Sequence, residues 1–136
     1  MPATYTIDTT RNCAFTKVNG TLTVEDIVGH FETARRQRIQ SYKELIDLRN
    51  AAPPFLAAQD IWRAALSVRF SGSQEAFGPR AVIVSDDEMF GLARLFVSFL
   101  SGCIPMEIFR DPDAAEEWLA NWSGAAAVPE NRCAAV

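Results

Sequence analysis

Three short apolar runs, Leu45–Leu48, Ala81–Val84 and Met106–Phe109, alternate with stretches of helical periodicity, and this alternation constrains the fold more than any other feature of the chain. Strands that recur after each helix return to the same sheet through crossovers, which makes the sheet mostly parallel and places helices against it. Two further strands stand ahead of the first helix. Thr4–Ile7 and Ala14–Val18 are rich in β-branched and aromatic residues and flank a polar turn at Asp8–Asn12, the pattern of a hairpin. The expected class is α/β: a five-stranded, mostly parallel sheet with an N-terminal antiparallel hairpin and four helices.

Helix boundaries are written in the caps. Asn19-Gly20 closes the second strand, and Thr23 with Asp26 three residues on has the spacing of a capping box. Val24, Ile27, Val28, Phe31 and Ala34 then recur at helical spacing and form one buried stripe. Arg35, Arg36 and Arg38 fall in the last turn, where cations complement the helix dipole. After the break at Ala51-Ala52-Pro53-Pro54, a second helix is expected from about Ala57 to Phe70, followed by a Ser/Gly-rich loop at Ser71–Ser73. Ser85-Asp86-Asp87 caps a third helix running to about Leu100. Asp111-Pro112, a cap followed by proline at the first helical position, opens a fourth that buries Ala115, Trp118, Leu119 and Trp122. Residues 1–122 read as a single domain, and the Ala-rich stretch 123–136, without periodicity, as a flexible C-terminal tail. There is no internal repeat.

The 136 residues suit one domain, and a chain of that length buries enough surface to fold without a metal or disulfide. With a formal net charge of −4, and with Arg11, Arg35, Arg36 and Arg38 too few and too local to make a basic face, nucleic acid and anionic membrane surfaces are not expected partners. Cys13, Cys103 and Cys133 lack metal-ligand spacing, His30 is the only histidine, and the odd cysteine count argues against a disulfide framework. The N-terminus lacks the basic and apolar regions of a signal peptide. No apolar run reaches the roughly 18–20 residues of a membrane span. A cytoplasmic location is expected.

No catalytic constellation is readable. His30 lies roughly 100° from the centre of the first helix's stripe, which predicts a surface histidine without a role. Asp86, Asp87 and Glu88 stand where a helix begins, so capping explains them better than a metal. Gly72, Gly78 and Gly91 match neither dinucleotide nor P-loop spacing, and no cofactor is expected. Cys103 follows a helix end, where the dipole raises a thiol pKa. One polar cluster remains. Asp47 and Arg49 flank Leu48, and Ser85, Asp86 and Arg110 stand at equivalent ends of later strands. The carboxyl ends of strands are where open α/β sheets bind ligands. These five residues are therefore a candidate ligand or partner edge; the alternative is that Asp47 and Arg49 pair locally to order the following loop.

Two helices carry more apolar surface than one core contact requires. Phe90 and Val97, beside Arg94, lie off the face formed by Met89, Leu92, Ala93, Phe96 and Leu100. Trp62, Leu66 and Phe70, near Arg69, lie opposite Ile61, Ala64, Ala65 and Val68. Aromatic stripes accompanied by arginine suit a protein interface, here a homodimer or another protein partner. Burial on both sides within the monomer would also account for them, as would the wall of an apolar pocket for a small ligand.

Three strings in this order resemble the SpoIIAA-like (STAS-like) superfamily of bacterial domains: Glu44-Leu45-Ile46-Asp47-Leu48-Arg49, Ala81-Val82-Ile83-Val84-Ser85-Asp86 through Phe90-Gly91-Leu92-Ala93-Arg94, and Ile108-Phe109-Arg110-Asp111 leading to Trp118-Leu119. The resemblance spans about residues 4–122 and implies a four-turn β/α superhelix, a fold shared with the lipid-binding domain of CRAL-TRIO proteins. In the anti-sigma-factor-antagonist branch, a serine after the Asp-Leu-Ser strand is the phosphoacceptor. Here Asp47-Leu48 matches, Arg49 replaces the serine, and Pro53-Pro54-Phe55-Leu56-Ala57 contains no hydroxyl. The chain is thus more similar to the uncharacterised side branch. The expected function is a non-catalytic protein-binding or regulatory domain; the alternative is a carrier of a small apolar or lipid-like ligand, with a cavity lined by Phe90, Phe96, Trp62 or Leu66.

Overall fold

The computed structural model describes residues 3–52, 57–70 and 76–123. Its elements follow the order β1 (Ala3–Asp8), β2 (Cys13–Thr21), α1 (Val24–Arg36), β3 (Lys43–Ala52), α2 (Ala58–Phe70), β4 (Arg80–Ile83), α3 (Asp87–Phe99), β5 (Met106–Phe109) and α4 (Pro112–Ala120). The five strands lie in the sheet in sequence order, with β1 antiparallel to β2 and every later pair parallel. The class and architecture expected from the alternation of strands and helices are those observed. The stretch 53–56, where the resemblance would put a phosphoacceptor, the loop 71–75 and the tail 124–136 lie outside the described residues.

The caps behave as their chemistry requires. Thr23 accepts from the Asp26 backbone N–H while the Asp26 carboxylate accepts from the Thr23 N–H, a complete capping box. Asp86 accepts from the Met89 N–H at the start of α3, and Asp111 from the Asp113 N–H at the start of α4. Helix α1 ends on Arg38 in the left-handed region, φ 58°, with Arg38 N–H donating to Arg35 and Ile39 N–H to Ala34. That is a Schellman closure with arginine where glycine is usual, and it turns Ile39 back onto the core that contains Ala34.

Two strands differ from the sequence reading. Strand β3 runs ten residues, because beyond the end of β4 it stays paired with β2 through Asn19↔Asn50, Gly20↔Ala51 and Thr21↔Ala52. Strand β4 begins at Arg80, a charged residue that sequence reasoning leaves in the preceding loop, and that residue is 1% exposed.

Register sorts the side chains by face. Tyr5, Thr16, Ile46, Val82 and Ile108 form one cross-strand row, and Ile7, Ala14, Glu44, Arg80 and Met106 another. Both rows face α1, α2 and α3. The alternate row, Phe15, Leu45 and Ala81, faces α4, which packs against β3, β4 and β5 through Ala115, Trp118 and Leu119. Phe15, on β2 and away from α4, is 47% exposed.

Candidate functional site

Glu44 and Arg80 enter adjacent strands side by side, and both are almost wholly buried. Neither charge survives burial without partners. Arg80 Nε stands 3.3 Å from Glu44 Oε1, while its Nη1 donates to the carbonyls of Gln40, Tyr42 and Gly78 at 2.9, 3.0 and 2.8 Å. The guanidinium also stacks over Phe77, 5.0 Å from the ring centroid, and Arg35 does the same at 4.8 Å. Glu44 accepts from Thr16 Oγ1 at 2.5 Å and meets His30 Nε2 at 2.9 Å from Oε2. The His30 ring in turn stacks on Tyr5, interplanar angle 7°, with Nδ1 3.3 Å from the Tyr5 hydroxyl. A continuous polar chain therefore runs from the exposed Tyr5 through His30 and Glu44 to the buried Arg80.

His30 is thus not the unengaged surface histidine that the helical wheel suggests. Its side chain is only 13% exposed. The wheel places it correctly on the flank of the α1 stripe, but the hairpin strand β1 folds over that flank and carries Tyr5 onto it.

Burial pushes the Glu44 carboxyl up, but the charge and hydrogen bond of His30, the charge of Arg80 and the Thr16 hydroxyl together outweigh it and hold the group below the ordinary glutamate value. A carboxyl held low in the folded state contributes stability that is present above its unfolded pKa and is lost as pH falls through the folded one. Stability is therefore expected to be lost progressively as pH drops below about 4.5, read as a falling urea midpoint. Glu44→Gln is expected to flatten that acid limb; an unchanged acid slope would contradict the role given to Glu44.

Beside this chain the core is hollow. The helical face holds two apolar clusters, one around Phe31, Ile61 and Phe96, the other around Val18, Ile46, Val82 and Met89. Between them lies a cavity of about 100 Å³. Val18, Ile46 and Val82 form its floor, with Ile27 and Phe31 of α1 on one side and Leu92, Phe96 and Val97 of α3 on the other. Tyr5, Thr16, Asp26 and His30 stand at one end, and the surface that faces the void is almost wholly apolar. Tyr5 is 38% exposed, so this end faces solvent.

The residues singled out by sequence fall in several places. At the strand ends, Arg49 pairs with Asp47 through two hydrogen bonds of 3.0 and 2.8 Å, and its own N–H also donates to Asp47. Arg110 donates to Asp87 at 2.7 Å, lies 3.5 Å from the Ser85 carbonyl and covers the Phe90 ring at 4.5 Å. Asp86 is occupied as the α3 cap. The edge is thus two separate local pairings and a cap. Of the helix stripes, Val97 lines the cavity, and Phe90 packs beneath Arg110 against the Val82–Val84 cluster. Arg69 donates to the Phe99 carbonyl at 3.1 Å, Leu66 is half-buried and Arg94 exposed. Trp62 and Phe70 are 49% and 54% exposed. Of the four residues expected around a ligand cavity, Phe96 lines it; Phe90, Trp62 and Leu66 do not.

Tyr5, Thr16, Glu44 and Arg80 escaped the sequence reading. Their one local signal is the placement of Glu44 and Arg80 directly ahead of the apolar runs Leu45-Ile46 and Ala81–Val84, where a strand entering a core carries a charge that must find a partner. Cys103 is disulfide-bonded, against the expectation drawn from the odd cysteine count. Among the described residues no group of three or more His, Cys, Asp or Glu side chains is placed to hold a metal ion, and no helix is long and apolar enough to cross a membrane.

The architecture is that of a SpoIIAA-like fold. A solved structure that this chain resembles is an uncharacterised protein of the DUF3478 family from Shewanella loihica PV-4, described as having a SpoIIAA-like fold; the match has 22% identity, covers 86% of this chain and 93% of that one, and has a TM-score of 0.55. At that identity the likeness is one of fold. No family model and no curated protein matches the sequence.

Proposed function

We propose that this domain is a non-catalytic binding module that holds a small apolar molecule between its sheet and helices α1 and α3. The observation that carries the reading is the cavity. An apolar void of about 100 Å³, left empty, costs on the order of 2 kcal/mol at about 24 cal/mol per Å³. Apolar voids of this scale stay dry and accept ring-sized or short-chain ligands, and occupancy by such a ligand recovers the missing contacts. The end beside the part-exposed Tyr5 gives access.

Native mass spectrometry of the purified protein tests this. The expected result is a mass excess over the bare chain that disappears in Ala93→Phe, whose ring fills the space from the α3 side. The same substitution is expected to raise stability by about 1 kcal/mol, as cavity filling commonly does. A bare wild-type mass that added toluene leaves unchanged contradicts the proposal.

A second reading rests on a separate observation. Trp62 and Phe70 stand two turns apart on α2 and are about half exposed, with the half-buried Leu66 between them. An outward aromatic stripe of this kind suits self-association, and a dimer or a regulatory protein partner would cover it. The same spectrum reports it: a dimer mass supports a homodimer through α2, and a monomer at micromolar concentration removes it.

A further inference from the structure

The two edges of the sheet, β1 and β5, are built differently. Strand β5 is four residues long and carries the exposed Glu107; short strands and charges are how an edge is kept from pairing with another chain. Strand β1 runs six residues, Ala3-Thr4-Tyr5-Thr6-Ile7-Asp8, in unbroken register with β2 and with no proline and no charge before Asp8. Among the described residues it has a strand on one side only, so alternate backbone N–H and C=O groups face outward along the other. Three of the five large apolar side chains left exposed among the described residues, Tyr5, Ile7 and Phe15, lie on this same hairpin.

An open strand edge binds another extended strand, and β1 is complementary to itself. A two-fold axis normal to the sheet at Thr6 sets β1 antiparallel to β1 of a second copy, with Thr6 opposite Thr6, Tyr5 opposite Ile7 and Thr4 opposite Asp8. Opposed residues then share a face, as antiparallel pairing requires. Tyr5 and Ile7, 38% and 39% exposed, cover each other twice on the helical face. On the opposite face Lys17 pairs across to Thr4, and the same row continues onto Asp8 of the second copy. That carboxylate lies two strand spacings from Lys17, about 10 Å between backbones, within the combined reach of the two side chains. Lys17 neighbours Asp47, whose carboxylate is taken by Arg49, and makes no ion pair or side-chain hydrogen bond of its own among the described residues. The opposite charges meet twice by symmetry. A register centred on Tyr5 would instead align Lys17 with Thr6 and match no charge.

We propose that β1 is a homodimer edge: two copies pair β1 to β1 about Thr6 and join their five-stranded sheets into one. The inference is independent of the cavity, and it leaves the α2 stripe open to a second partner.

Amide hydrogen exchange of the full chain across the micromolar concentration range, beside light-scattering masses, tests it. The expected result is a dimer whose formation slows alternate amides within residues 3–8. Thr6→Lys sets like charges opposite each other at the axis, and Lys17→Glu reverses the twice-made pair with Asp8. Both side chains are exposed, so the fold is retained, and each variant is expected to weaken the dimer about fivefold or more. Trp62→Glu, on the α2 stripe, is expected to leave it unchanged. A monomer at every concentration, β1 amides indifferent to concentration, a dimer that Thr6→Lys or Lys17→Glu leaves intact, or a dimer lost in Trp62→Glu overturns the proposal.

Discussion

Replacing Arg80 by methionine is expected to lower the unfolding free energy by about 3 kcal/mol, the lower end of the range for breaking one side of a buried ion pair. The substitution keeps the apolar stem against Phe77 but removes the charge beside Glu44 and the donor shared by the Gln40, Tyr42 and Gly78 carbonyls. The loss falls at the lower end because Glu44 retains Thr16 and His30. Equilibrium urea unfolding measures it. The double variant Arg80→Met/Glu44→Gln is expected to lose less than the sum of the single losses, by at least about 1 kcal/mol, since contacting residues in one network couple. A loss below about 1 kcal/mol for Arg80→Met, or strict additivity, would show that the pair does not bind the strands together.

The second large effect comes from a residue with no side chain. Gly78 donates its N–H to the Gln40 carbonyl at 2.8 Å, and a Cβ at this position would stand 2.3 Å from the Ser41 carbonyl oxygen and 2.6 Å from that of Tyr42. Both obstacles are backbone, so the clash is relieved only by moving the segment 40–42 away from 78–80. That motion pulls apart the carbonyls that Arg80 gathers. Gly78→Ala is therefore expected to destabilise by about 3 kcal/mol, at the upper end of ordinary overpacking, and thermal unfolding checks it. A change within 1 kcal/mol of wild type would mean that the two segments separate freely and that Arg80 does not lace them.

Both effects arise at the same junction, the N-terminal ends of β3 and β4, and the cavity wall depends on it. Glu44 holds His30, and His30 holds Tyr5 over the cavity end. The buried ion pair thus fixes the geometry of His30 and Tyr5.

What the sequence discloses follows from the range of the interactions. Thr23 with Asp26, Asp86 ahead of Met89, and Asp111-Pro112 act within three residues of themselves, so the helix starts are legible. The apolar runs Leu45-Ile46 and Ala81–Val84 are buried as such runs require, and the strand order follows from crossovers. Asp47 and Arg49, two apart, share a face of one strand, and their mutual pairing is also local. The His30 site is different in kind. Its partners lie 14 and 25 residues away, on β3 and β1, and periodicity within α1 says nothing about what is folded onto its flank. The long β3 is likewise set by pairing with β2, which no property of residues 49–52 announces. The cavity is least legible of all, because a void belongs to no residue: it is the mismatch left where side chains from sheet, α1 and α3 converge.

The most direct test of the cavity as a ligand site is a methyl-detected NMR titration of the protein with toluene, a purely apolar probe. Binding in the cavity is expected to shift the methyl signals of Val18, Ile27, Ile46, Leu92 and Val97 together, with one saturating dissociation constant. Signals that stay in place at millimolar toluene, or shifts confined to the α2 surface around Leu66, would contradict it.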